Sequence, residues 1–128
     1  MKTTEKKIHT ALCQFIKLQY PNVIFTSDAS GLRLSMGLRV EMKRKRCDRY
    51  KIPDLILLHP NKGFSGLLLE IKADVGEVFK KDGSFKNDVH LKAQRATIDR
   101  LNELGYKAAF GCGLDHCIRI VNEYLKEI

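Results

Sequence analysis

Three residues have the type and spacing to do chemistry together: Asp54, Glu70 and Lys72. Asp54 follows Pro53 at the head of the apolar run Leu55-Ile56-Leu57-Leu58. Glu70-Ile71-Lys72 closes a second run that begins at Leu67. Two carboxylates and an ammonium at the ends of hydrophobic strands are costly to desolvate unless they serve one another or a ligand. Carboxylate oxygens are what Mg2+ or Mn2+ prefers, and such an ion neutralises a scissile phosphate and lowers the pKa of a bound water. Lys72 would then orient the nucleophile or stabilise the developing phosphorane charge. The plainer alternative is a structural salt-bridge cluster, and spacing alone leaves both open.

Whether the three side chains meet depends on the elements that carry them. His59 to Gly66 contains Pro60, Asn61, Gly63 and Gly66, a turn-rich interval, so the two runs predict a β-hairpin. Facing residues of an antiparallel pair have a constant number sum, here about 124–126 for a turn near Asn61 to Gly63. An even sum brings Asp54, Glu70 and Lys72 to one face; an odd sum does not. The turn residues allow the even case without requiring it.

Around the hairpin, Ile8, Ala11, Leu12, Phe15 and Ile16 form an apolar stripe that predicts a helix from Glu5 to Tyr20, capped by Thr3 or Thr4. Val23 to Thr26 reads as a short strand followed by a turn over Ser27–Gly31. Leu32, Leu34, Met36, Leu38 and Val40 alternate with smaller or polar residues in the next segment, which suits either strand or loop. Asn87 to Leu104 predicts a long helix stopped by Gly105, and Lys107 to Cys112 a strand buried on both faces. Asp115 can cap a last helix whose Ile118, Val121, Leu125 and Ile128 fall on one side. The order α-β-β-β-α-β-α predicts an α/β domain, a mixed sheet with helices packed on it.

Composition bounds the partners. The chain has 128 residues, 44% of them hydrophobic, which suits one folded domain. No apolar run approaches the roughly 18 residues of a membrane span, and the charged start lacks a signal peptide's apolar segment, so a cytoplasmic protein with no membrane partner is expected. Cys13, Cys47, Cys112 and Cys117 contain no C-x-x-C pair, which argues against a disulfide framework or a zinc site. The net charge is +8. Eight bases between Arg33 and Lys51 (Arg33, Arg39, Lys43, Arg44, Lys45, Arg46, Arg49 and Lys51) against Glu41 and Asp48 make that segment +6, leaving 15 bases and 13 acids, or +2, elsewhere. A basic cluster of this kind suits a polyanion, most often nucleic acid.

Ile52-Pro53-Asp54-Leu55 followed by Glu70-Ile71-Lys72 resembles the PD-(D/E)XK nuclease signature, and the chain is similar to the small stand-alone VRR-NUC nucleases of phages and prophages. Glu5 near the first helix start, Gln94 in the helix after the motif, Lys80-Lys81-Asp82-Gly83 and Leu104 to Phe110 extend the likeness over about Glu5 to Leu125. Lys51 and Ile52 depart from it, where many members have Gly followed by Val or a bulkier residue.

The resemblance implies a restriction-endonuclease-like core with Asp54, Glu70 and the Ile71 backbone carbonyl as ligands of Mg2+, or of Mn2+ in its place. It implies Lys72 as the catalytic lysine, and Glu5 binding the metal or orienting its water. Gln94, three residues after Leu91 and four before Ile98, lies on the helix's buried face, where the family reading has it hold Lys72 or a substrate phosphate. His90 shares that face or its edge and Asp28 lies in a turn; each has a structural explanation beside a catalytic one. The expected activity is Mg2+-dependent endonucleolytic cleavage of DNA, selective for branched forms such as four-way junctions, by a homodimer in a bacterial or phage-infected cell. The alternative is a non-catalytic nucleic-acid-binding protein that keeps the fold.

Overall fold

A computed structural model describes residues 3–28 and 33–126. The elements are α1 (Thr3–Gln19), β1 (Phe25–Ser27), α2 (Met36–Arg44), β2 (Leu55–Leu57), β3 (Leu67–Lys72), a 3-10 turn (Val75–Glu77), α3 (Val89–Glu103), β4 (Lys107–Cys112) and α4 (Leu114–Leu125). The four strands form one sheet in the order β1-β2-β3-β4. The first two pairings are antiparallel; β4 runs parallel to β3, with α3 as the crossover that parallel pairing needs.

The sheet's period of two divides the core. Leu55, Leu57, Leu67, Leu69 and Ile71 face α1 and α4, packing on Leu12, Ile16, Cys117, Val121 and Tyr124. Leu68, Ile56, Ala108 and Phe110 face the other way, against Ile98 and Leu101 of α3. Tyr20 Oη donates to Asn122 Oδ1 at 2.6 Å, joining the end of α1 to α4.

Several expectations are corrected. The basic segment is neither strand nor loop over its middle: Ser35 accepts from the Leu38 N–H and opens α2, so the order becomes α-β-α-β-β-α-β-α. Met36, Leu38 and Val40 remain exposed, since α2 buries no residue; their alternation is not a strand's inner face. Asp115 lies inside the first turn of α4, whose N-cap is Gly113 at φ 91°. There the chain must turn sharply while the Gly113 N–H still bonds the Lys72 carbonyl, a conformation that favours glycine. β4 is the sheet's edge, with Lys107 exposed, rather than a strand buried throughout. Thr3 and Thr4 lie inside the first turn of α1 rather than capping it; residues 29–32 of the predicted turn and strand, and Ile128, lie outside the described residues.

Candidate active site

The hairpin register decides the site. Leu55 pairs with Leu69, Ile56 with Leu68 and Leu57 with Leu67, a constant sum of 124. Continued by one residue, it sets Asp54 opposite Glu70, on the α3 side of the sheet together with Lys72. Continued once more it sets Pro53 opposite Ile71. Pro53 has no N–H to give, so the Ile71 carbonyl meets no ladder donor there. The Asp54 carboxylate replaces the missing strand partner on the other side of the exchange: Oδ2 accepts the Ile71 N–H at 2.8 Å. The end of the ladder thus brings together two carboxylates, with the Ile71 N–H turned to Asp54.

Asp54, Glu70, Gln94 and Glu5 are all buried. Burial pushes the Glu70 carboxyl up to about 8, and the neighbouring Asp54 charge adds to the effect; Lys51 and Lys72 oppose it, and Glu5 pushes the same way. Gln94 Nε2 donates to Glu70 Oε1 at 2.8 Å, so the Gln94 amide holds Glu70 rather than Lys72. Its own Oε1 is buried and accepts from no donor among the described residues. Gln94 reaches this position because Asp88 caps α3 by accepting the Leu91 N–H at 2.9 Å, fixing which residues of the helix face the sheet.

Such a set suits a hard divalent cation. Two neighbouring buried carboxylates and a buried amide oxygen without a donor among the described residues all present lone pairs, and positive charge would favour the ionised Glu70 that burial and the Asp54 charge disfavour. Among the described residues no three His, Cys, Asp or Glu side chains form a complete metal cage. Mg2+ tolerates that, since it usually keeps several waters beside one or two carboxylates and substrate phosphates. Glu5 is close enough for its charge to act on Glu70, although it does not complete such a cage with Asp54 and Glu70.

His9 belongs to this neighbourhood and was not singled out in the sequence. It lies four residues after Glu5, on the same face of α1. Its Nε2 is 2.8 Å from Ser27 Oγ; burial lowers its pKa while the Asp54 charge raises it. The i, i+4 spacing from Glu5 was the available signal. His90 is exposed on α3, and Asp28 pairs with Arg46 at 3.2 Å while its N–H bonds the Asp54 carbonyl at 2.9 Å. Of the basic set, Arg39, Lys43 and Arg44 are exposed on α2 and Arg33, Arg49 and Lys51 on the segments around it. Lys45 pairs with Glu41 at 2.8 Å, and Arg46 is half-buried against Asp28.

No family model matches the chain and no curated protein matches it. Two solved chains do. One is a VRR_NUC domain protein, which superposes with a TM-score of 0.66 over 98% of this chain and 90% of its own, at 22% identity. The chain therefore has the fold of a VRR_NUC domain, a four-stranded mixed sheet flanked by helices. No helix among the described residues is long and apolar enough to cross a membrane.

Proposed function

We propose that the protein is a metal-dependent DNA endonuclease that hydrolyses phosphodiester bonds at Asp54, Glu70 and Lys72. The observation that carries this reading is the pair of buried carboxylates at the ends of β2 and β3, with Asp54 accepting the Ile71 N–H and its charge acting on Glu70. A purely binding protein would gain nothing from buried carboxylates beside a polyanion.

In this reading Asp54, Glu70 and the Ile71 carbonyl hold Mg2+, with Mn2+ as a substitute. When bound, the ion supplies Lewis acidity toward a phosphoryl oxygen. The Ile71 N–H fixes the orientation of Asp54, and Gln94 fixes that of Glu70. Lys72, on the same face, stabilises negative charge as it builds on the phosphate. Glu5 approaches from α1, where it steadies the water of the site. The exposed cations Arg33, Arg39, Lys43, Arg44, Arg49 and Lys51 bind the DNA backbone, aided by Lys45 and Arg46.

The substrate class we favour is branched DNA such as a four-way junction, cut by a C2 homodimer whose two sites match the near two-fold symmetry of the junction. The test is incubation of the pure protein with labelled junction, flap and linear duplex, with and without Mg2+. Metal-dependent cutting, strongest on the junction, is expected. Absence of cutting on every substrate would leave the non-catalytic nucleic-acid binder; equal cutting of all three would remove the branched-DNA part alone.

A further inference from the structure

The free edge of β4 borders a cleft of about 620 Å³ that contains none of Asp54, Glu70, Lys72, Gln94 or Glu5. Phe64, Phe79 and Phe110 line it, with Lys62, Lys107 and Arg119 among its cations and Glu123 as its carboxylate. Lys107 Nζ stands 5.7 Å over the Phe64 ring.

The backbone of this edge is mostly closed. Odd-numbered residues of β4 bond toward β3, as the Lys107 and Gly113 N–H groups do, so Ala108, Phe110 and Cys112 point outward. Asn102 takes both groups of Ala108: its Oδ1 accepts the N–H at 2.9 Å and its Nδ2 donates to the carbonyl at 3.0 Å. His116 Nδ1 accepts the Cys112 N–H at 2.9 Å, which assigns the proton of the neutral ring to Nε2. An added strand is therefore blocked on both sides, in the way edge strands are protected from pairing. Only the N–H and carbonyl of Phe110 stay open between the two caps, with no partner among the described residues.

One donor and one acceptor side by side, beside aromatic rings and under a cationic rim, match a single nucleobase with its phosphate. Adenine's N6 amine and N7 are such a pair, and stacking on aromatic side chains with backbone charge neutralisation is how unpaired nucleotides are held. We propose that this cleft binds one unpaired nucleotide, its base edge on the Phe110 backbone and its phosphate on Lys107 and Arg119. Phe110 pairs with Glu70 across the parallel ladder, so a nucleotide held outside β4 lies two strand spacings, about 10 Å, from the Glu70 backbone. The inference stands on the cleft and not on cleavage.

The test measures binding without metal, so that it fails separately from the nuclease reading. Phe64→Ala and Arg119→Glu alter exposed or partly exposed side chains of the cleft. Each should weaken binding of short oligo-dA by about fivefold or more and leave blunt-duplex affinity within about twofold. Backbone amide NMR with oligo-dA and with AMP distinguishes the sources. Shifts at Phe110 with both probes assign the cleft to any mononucleotide, and shifts with the oligonucleotide alone assign it to a strand. Unchanged oligo-dA affinity in both variants, or no shift at Phe110 with either probe, overturns the proposal. So does a change of oligomeric mass in the variants without a change of affinity, which would make the cleft a contact between copies.

Discussion

At the scale of single residues, Glu70 is the most constrained group. It is buried, faces Asp54 and is held by Gln94. Its folded value of about 8 lies above the ordinary 4.5, so the folded state binds more protons than the unfolded one between those pH values. Without a divalent cation, stability from this group is therefore complete below about pH 4.5 and lost as pH rises toward 8. Urea melts in EDTA across this range should show the decline, Glu70→Gln should flatten it, and Mg2+ should restore stability most at the alkaline end. Lys72 acts differently, being half-buried and opposing the rise of Glu70 by its charge alone. Lys72→Ala should lower cleavage by about 100-fold or more with little change in melting temperature or in calorimetric Mg2+ binding. Cleavage at the wild-type rate would remove Lys72 from the chemistry.

Among the elements, α2 and β4 carry the sharpest consequences. Arg39, Lys43 and Arg44 stand exposed on a helix that buries nothing, whereas Lys45 and Arg46 already have carboxylate partners. Removing the first three together should reduce the slope of log affinity against log salt by up to about 3 without loss of fold. An unchanged slope would reassign α2 to solubility. β4 meets α4 with no spare room: a Cβ at Gly111 would lie 2.4 Å from Cys117 Sγ. Gly111→Ala should therefore cost about 1–3 kcal/mol, read as a lowered urea midpoint. Adding Cys117→Ala should recover most of that loss, because the next atom is the Cys117 Cβ at an ordinary 3.6 Å. A double variant no better than the single one would place the cost elsewhere.

Across the whole molecule, the hairpin register is held by a distant helix. The tip, Asn61 paired with Phe64, has a sum of 125, while the strands have 124. Lys62 at φ 52° and Gly63 at φ 84° give the tip a tight primed turn. One extra residue on the first arm, between Leu57 and Asn61, absorbs the difference. There Tyr124 Oη of α4 donates to the His59 carbonyl at 2.7 Å, and Asn61 Nδ2 donates to the Tyr124 carbonyl at 2.7 Å. Tyr124→Phe should cost about 1–3 kcal/mol and lower cleavage more than Phe64→Ala does, since a slip of one residue would turn Asp54 to the other face. Equal activity of Tyr124→Phe and wild type would show that the strands hold the register by themselves.

Much of this was legible in the chain. Apolar periodicity located α1, α3 and α4, and apolar runs located the hairpin, because burial of one face dictates those patterns. Asp54, Glu70 and Lys72 stood out as charges at the ends of buried strands, and the split of +8 into +6 and +2 marked the basic segment. α2 was not legible, because it buries no face and so carries no periodicity. His9 was overlooked because its role depends on the fold bringing Asp54 near. The parity of the hairpin was also beyond the sequence. Its turn residues leave the sum anywhere from about 124 to 126, and the pairing at the tip, continued unchanged, would give 125 and separate Asp54 from Glu70 and Lys72. The value of 124 depends on a one-residue offset pinned by Tyr124, 65 residues away from His59. Local chemistry thus determined which residues could act. The tertiary structure decided that they meet, because strand register is a long-range contact that no local preference fixes.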